Sequence, residues 1–311
     1  MELTLALGDY AHGRTLTTGT ILDHEGQVVT LRRVIDEPSV IFRKAGEKPC
    51  PFDVTEMSLA TTYVLADQGD PRFVPLPVFP SRMFRHSAFY VRDPGLRPED
   101  LRGKRIGVVR YGMTAAVWAR SLLADGYGIA PEDMAWSIGE PQFFQPSGIE
   151  LNIVEGRAAL ESMLEEGNLD VLFSVHEPAA FREGRLHRLF PDFGAAERER
   201  FDRTGLYPIM HTMLVRRELA GEHPWLPALL QGALEEAKAE ALRWLLDTDV
   251  SSLPLPFEHA WGNQVRDLLG GDPWPYGIEP NRAVLTDFGK HMHAQGLTSR
   301  PLSPEEVFGG V

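Results

Sequence analysis

Short apolar runs alternate with amphipathic stretches along most of the chain, and this alternation constrains the fold more than any other feature. "LTLAL" (3–7), "QVVTL" (27–31), "FDV" (52–54), "RFVPLPVF" (72–79) and "SAFYV" (87–91) read as buried strands. Between them, "EMSLATTYVLADQ" (56–68) sets Leu59, Tyr63 and Ala66 near helical spacing, with Thr55 as the expected N-cap. Strand–helix–strand alternation calls for a mainly parallel sheet with helices on its faces.

A Pro/Gly/charge-rich crossover near 92–104 precedes a second unit of the same kind. Its expected elements are the strand "RIGVV" (105–109), a helix over 114–126 that Thr114 would cap, a helix over 156–167, and the strand "LDVLFSV" (169–175). A further strand lies within 207–219. The most regular helix follows, with Leu226, Leu230, Leu234, Ala237, Ala241 and Leu245 on three-four spacing and Pro224 near its start. A last helix ends at Gly296. The expected division is a first lobe of 1–92 and 208–311 and a second lobe of 93–207, joined by two crossings that leave a cleft. Ligands of open α/β sheets bind beyond the carboxyl ends of strands.

Of 311 residues, 43% are hydrophobic and 24% charged, an ordinary globular balance. The single cysteine excludes an internal disulfide and a cysteine-based zinc cluster. No run approaches the roughly 20 apolar residues of a membrane span, and the first residues lack the basic start and long apolar run of a secretory signal. The expectation is a cytoplasmic protein with no membrane partner. A net charge of −13 argues against a nucleic-acid partner. It also makes clustered cations informative, because an anionic ligand would need local arginines and helix N-termini to overcome that field.

The segments after the strands carry such groups. Asp9, Tyr10, His12 and Arg14 follow the first strand, and Glu56 and Ser58 follow "FDV". Arg82, Arg85 and His86 crowd "FPSRMFRHS"; Arg110 and Thr114 follow "RIGVV", His176 and Glu177 follow "LDVLFSV", and His211 sits in "IMHTM". Each has a plainer reading. Asp9 and Glu56 suit helix starts, Arg110 suits a surface ion pair, and His211 suits a core position. Strand alternation puts Arg82, Phe84 and His86 on one face and Arg85 on the other. Arg85 is the arginine expected to tie down a neighbouring loop. A buried arginine needs an anion, and its fork matches a carboxylate. Ten histidines invite a metal, yet there is no HExxH pair. A site built from His12, His86, His176 and Glu177 would be non-local, and His291 and His293 read as surface residues. GxSxG, P-loop and GxGxxG motifs are absent.

"GDYAHGRTL", "FDVTEMSLAT", "PVFPSRMFRHSAFYV", "LRGKRIGVVRYGMTAAVWARSLL" and "GIEPNRAVLTDFGKHMHAQGL" together resemble the 4,5-dihydroxyphthalate decarboxylase family, from the first strand to the last helix. The resemblance implies a two-lobed α/β fold like that of type II periplasmic binding proteins. It also implies loss of one carboxylate from 4,5-dihydroxyphthalate, giving protocatechuate and carbon dioxide. It further implies a small aromatic dicarboxylate as partner and no required cofactor, while leaving open a divalent metal and a homo-oligomer. Such chemistry asks for cations on two carboxylates, an acid over the ring and a base near the catechol oxygens. Under this resemblance Arg82, Arg85 and Arg110 hold carboxylates, with Asp9, His12, Arg14, Thr114 and His211 also near substrate. His86 or His176 delivers the proton, and Glu56, Asp9 or Glu177 polarises the hydroxyls. The rival reading is a cytoplasmic, non-catalytic binding protein for a small aromatic acid.

Overall fold

Among the described residues, twelve strands build two six-stranded sheets. The structure, a computed structural model, describes residues 1–142, 144–247, 249, 251, 253–269 and 271–310. In the first sheet the strands are β1 (Glu2–Ala6), β2 (Ile21–His24), β3 (Gln27–Val34), β4 (Val54–Ser58), β5 (Phe73–Arg82) and β12 (Ile209–Arg216). Their spatial order is β2-β3-β1-β4-β12-β5. The second sheet holds β6 (Phe89–Val91), β7 (Arg105–Val108), β8 (Ala135–Ile138), β9 (Leu151–Ile153), β10 (Val171–Phe173) and β11 (His187–Arg188), in the order β11-β6-β10-β7-β8-β9.

Both sheets are mixed. In the first, β1 pairs in parallel with β3 and β4, but β2 with β3 and β12 with β4 and β5 run antiparallel. In the second, β10–β7, β7–β8 and β8–β9 are parallel, and β6 is antiparallel to β10 and β11. The expectation of mainly parallel sheets misses the returning strand β12, whose direction no local pattern encodes. Pro75, Pro77 and Pro80 are tolerated in β5 because it is an edge strand, where a missing N–H can face away from the ladder.

β6 pairs with β10 through Tyr90 and Leu172, so it belongs to the second sheet, although its apolar run reads as the last strand of the first. The chain thus passes between sheets within 83–88, before the Pro/Gly-rich stretch, and returns within 189–208. Thr55 is not a helix cap: it lies inside β4, and the helix Leu59–Asp67 begins after Ser58.

Packing across the sheets holds them in place. Helix Thr114–Tyr127 of the second unit is almost wholly buried. Its Trp118 donates an indole N–H to the Ile209 carbonyl of β12 (2.8 Å) and packs on Phe288 of helix Arg282–Ala294 (5.1 Å between centroids). One continuous apolar cluster joins Leu3, Leu5 and Val78 of the first sheet to Ile106, Val108 and Phe173 of the second. Among the described residues, no helix is long and apolar enough to cross a membrane.

Candidate active site

A cavity of about 510 Å³ opens between the two sheets. Its walls follow the carboxyl ends of strands. Met57 and Ser58 close β4, Arg110 and Gly112 follow β7, and Val175 and His176 follow β10. Phe42 from helix Pro38–Ala45, Arg85 from the first crossing, Phe144 and His211 complete the lining.

Two helices start at this cavity, Leu59–Asp67 after Ser58 and Thr114–Tyr127 after Met113, and neither has a side-chain cap from its own N-cap residue. Thr114 caps the other helix instead of its own. Its Oγ1 accepts the Ala60 N–H (2.9 Å) and lies 2.8 Å from Ser58 Oγ, so one hydroxyl ties the units together beside the cavity. The positive ends of both helix dipoles therefore meet here. Gly112 donates its N–H to Gln142 Oε1 (2.8 Å), and a Cβ at this position would sit 2.8 Å from the Phe144 ring. The glycine is what lets an aromatic ring lie against the backbone.

Three arginines line the cavity: Arg72, which is paired with Asp70 (3.0 Å), Arg85 and Arg110. Arg85 is half-buried; burial pushes its guanidinium down to about 10, and its Nη1 donates to the Met83 sulfur (3.2 Å). Its Nε is buried with no hydrogen-bond partner among the described residues. Arg110 donates through Nε to Glu140 Oε2 (2.7 Å), and its Nη2 lies 2.5 Å from the same oxygen.

Beside His211, which lines the cavity, lies a buried carboxylate. Glu56 on β4 is opposite Met213 on β12, so His211, two residues along, is its diagonal neighbour on the same face of the sheet. Glu56 is 0% exposed and accepts three hydrogen bonds: from Gly8 N (2.8 Å), Tyr10 Oη (2.6 Å) and His211 Nδ1 (2.6 Å). Burial works to raise the Glu56 carboxyl. The hydrogen bond and charge of His211, the Tyr10 hydroxyl and the Gly8 amide outweigh it and hold the group below its ordinary value, as an anion. Burial, reinforced by the Glu56 charge, pushes the Tyr10 phenol up, so Tyr10 stays a donor. Tyr10 Oη and His211 Nδ1 both donate to Oε1, and their 3.2 Å separation is a close approach of two donors. Phe42 meets the imidazole edge-on at 4.9 Å.

No family model matches the chain. The 4,5-dihydroxyphthalate decarboxylase of Comamonas testosteroni is 38% identical to it over 323 aligned positions, covering 99% of this chain and 96% of that protein. The chain belongs to the 4,5-dihydroxyphthalate decarboxylase family. A decarboxylase of the same name from Pseudomonas putida is 31% identical over 196 positions, covering 59% of this chain and 74% of the other. Among solved structures, the aliphatic sulphonate binding protein SsuA of Escherichia coli aligns with a TM-score of 0.51 at 14% identity, covering 98% of this chain and 91% of that one. The CA3427 gene product of Candida albicans, described as having the generic periplasmic binding protein fold, aligns at 0.51 and 9% identity, covering 99% and 94%. At such identities the likeness shows the fold alone.

In this family member, Arg85, Arg110, Thr114, His176 and His211 line one cavity, with Glu56 directly behind His211. The other proposed residues lie elsewhere. Arg82 is 4% exposed and does not line the cavity. It donates to the carbonyls of Pro275 (2.7 Å) and Tyr207 (3.4 Å) and to Asn281 Oδ1. Arg82, rather than Arg85, is thus the arginine that ties down a neighbouring segment. His86 is 3% exposed beneath Phe190, away from the cavity lining. Asp9 and Arg14 form an exposed ion pair with each other (3.0 Å). Glu177 is exposed and pairs with Arg188 (3.2 Å). His12 gives its Nε2 to the Pro80 carbonyl (2.9 Å) and stacks near Tyr10 and Trp274.

His12, His86, His176 and Glu177 do not converge as metal ligands. Among the described residues, the grouping close enough to share an ion is Asp125, Asp287 and His291, outside this cavity and with Arg200 already on Asp125 (3.1 Å). His291 is accordingly a half-buried residue with its Nε2 3.2 Å from Asp125, rather than a surface group. Phe42, Glu140, Gln142 and Phe144 were not singled out from the sequence. The stretch 139–150 has no apolar periodicity, and no local signal marks it as a cavity wall.

Proposed function

We propose that the protein is a cytoplasmic carboxy-lyase that removes one carboxylate from 4,5-dihydroxyphthalate, giving 3,4-dihydroxybenzoate and carbon dioxide without a required cofactor. The observation that carries this reading is kinship with a decarboxylase of that name across nearly the whole of both chains. The cavity supports it. Its volume suits a substituted benzene ring, Phe144 offers an aromatic face, and Arg85 and Arg110 provide a cation for each of two adjacent carboxylates. Both helix N-termini add positive potential where the local field must overcome the net charge of −13. In this reading His176, which lines the cavity and has its backbone held by Ser174, hydrogen-bonds a catechol oxygen.

The test is direct. The purified protein is incubated with 4,5-dihydroxyphthalate, and 3,4-dihydroxybenzoate and carbon dioxide are followed by chromatography and gas analysis. Product is expected, and Arg85→Ala is expected to raise KM about 10- to 100-fold, the worth of one charge-assisted hydrogen bond. Tight binding without turnover would overturn the proposal and favour a solute-binding protein.

A further inference from the structure

We infer that His211 is the residue that hands a proton to the ring carbon, with Glu56 and Tyr10 as positioning residues; this assignment rests on the decarboxylase reading above. Three histidines lie near the cavity or its first crossing, and their surroundings differ. His86 does not line it. His176 lines it on an exposed connection after β10, where its backbone N–H and carbonyl are both bonded to the Ser174 hydroxyl. His211 lines it from β12, which is hydrogen-bonded to β4 on one side and, across register shifts on either side of His211, to β5 on the other, so the strand that carries it is held from both sides.

Its ring is constrained as well. Nδ1 is turned to the Glu56 carboxylate at 2.6 Å, and Phe42 meets the ring edge-on. With Nδ1–H donating to a carboxylate, Nε2 is the nitrogen left to exchange a proton with a ligand. Glu56 cannot take that role itself. It is 0% exposed, already accepts three hydrogen bonds and does not line the cavity. A buried carboxylate behind an imidazole fixes its orientation and stabilises the imidazolium, the division of labour found in hydrolytic triads.

The step balances. The Nε2 proton moves to the ring carbon that bears a carboxylate, forming a C–H bond while the para hydroxyl supplies electron density. The carbon–carboxylate bond then breaks, its electron pair restores the aromatic ring, and carbon dioxide leaves. One proton is consumed per turnover, and solvent returns it to Nε2. No oxidant or reductant is needed.

Acting on the product, the same acid delivers a proton to the corresponding ring carbon, which now bears hydrogen, and loss of the original hydrogen from that tetrahedral carbon to Nε2 restores the ring and exchanges it with solvent. The wild-type protein, incubated with 3,4-dihydroxybenzoate in deuterium oxide, is expected to deuterate one ring position, read by proton NMR. His211→Gln is expected to lose at least about 100-fold of both exchange and decarboxylation, the usual reach of general-acid catalysis, with KM within about threefold. His211→Asn is measured in parallel as a second variant with its own folding requirements. His176→Gln is expected to raise KM and retain exchange. Glu56→Gln is expected to lower kcat about 10- to 100-fold with little change in KM, a split that general loosening of the fold would not produce. If the wild-type protein turns over while folded His211→Gln or His211→Asn keeps a tenth of its turnover and exchange, the assignment is overturned. If the wild-type protein makes no product, the decarboxylase reading falls and takes the assignment with it.

Discussion

His86 and Glu197 sit 3.8 Å apart, too far for a hydrogen bond, and both are driven towards their neutral forms. Burial pushes His86 down from 6.5 to about 4, with the Arg200 charge acting in the same direction. Burial pushes Glu197 up from 4.5 to about 7, against the pull of the Ser87 and His86 amides. The close approach is therefore not an ion pair at mildly acidic pH, because the proton sits on the glutamate. Between about pH 4.5 and 6.5 the unfolded chain holds one proton on this pair, on the histidine, and the folded protein also holds one, on the carboxyl. Equal proton counts give no slope of stability with pH.

Removing either partner breaks that cancellation. Glu197→Gln leaves His86, whose folded value lies below its unfolded one. Its contribution to stability is full above pH 6.5 and is lost as pH falls towards 4. At 1.36 kcal/mol per unit the loss reaches about 3 kcal/mol. His86→Gln leaves Glu197, whose folded value is raised. Its contribution is full below pH 4.5 and is lost as pH rises through 7, by about 2 kcal/mol after allowing for solvent screening of a side chain that is 20% exposed. Urea unfolding followed by tryptophan fluorescence at pH 4.5, 5.5, 6.5 and 7.5 reads both slopes. Opposite signs in the two variants are expected, with kcat of His86→Gln near wild type because His86 does not line the cavity. Slopes of the same sign, or a collapse of turnover in His86→Gln, would refute the reasoning.

Arg82→Met removes the donors to Pro275, Tyr207 and Asn281 and is expected to cost about 3 kcal/mol in chemical denaturation, with KM within about twofold. An unchanged stability with a tenfold rise in KM would put Arg82 at the substrate. Glu140→Gln removes a part-exposed ion pair with Arg110 worth at most about 1 kcal/mol and is expected to lower KM about two- to fivefold in steady-state assays at low salt. A rise in KM would mean that Glu140 aims Arg110 instead of competing for it.

The sheets were legible where burial alone decides. β1, β5, β7, β10 and β12 are apolar runs that the fold covers, and such runs read the same from either side of a sheet. What local pattern cannot carry is partnership. β6 looks like a first-unit strand but pairs with β10. Thr114 looks like the cap of its own helix but accepts the Ala60 N–H of another. Strand alternation does not govern Arg85 and His86, because β5 ends at Arg82 and residues 83–88 are not strand; which arginine meets the cavity depends on that ending and on the C-terminal segment that covers Arg82. His211 stood in an apolar run, and its likeness to a core residue came from the strand that carries it; Glu56, which gives it a chemical role, lies 155 positions away in sequence.

The arrangement of charge bears on turnover as well as on binding. Under the decarboxylase reading the substrate carries two carboxylates and the product one, so chemistry removes one of the two groups that Arg85 and Arg110 can hold. One charge-assisted contact is worth about 1.5–3 kcal/mol, so the product is held roughly 10- to 150-fold more weakly than the substrate by this term alone. Glu140 strengthens the effect. It touches Arg110, which lines the cavity, and is a carboxylate belonging to the chain itself. A dianion that grips both arginines can displace it, whereas a monoanion held by Arg85 leaves it free to return. The internal carboxylate thus stands in for the one lost as carbon dioxide, and its return opposes product more than substrate. In a protein of net charge −13, whose field disfavours every anion, this competition lets the site discriminate by the number of carboxylates without binding either ligand too tightly to release.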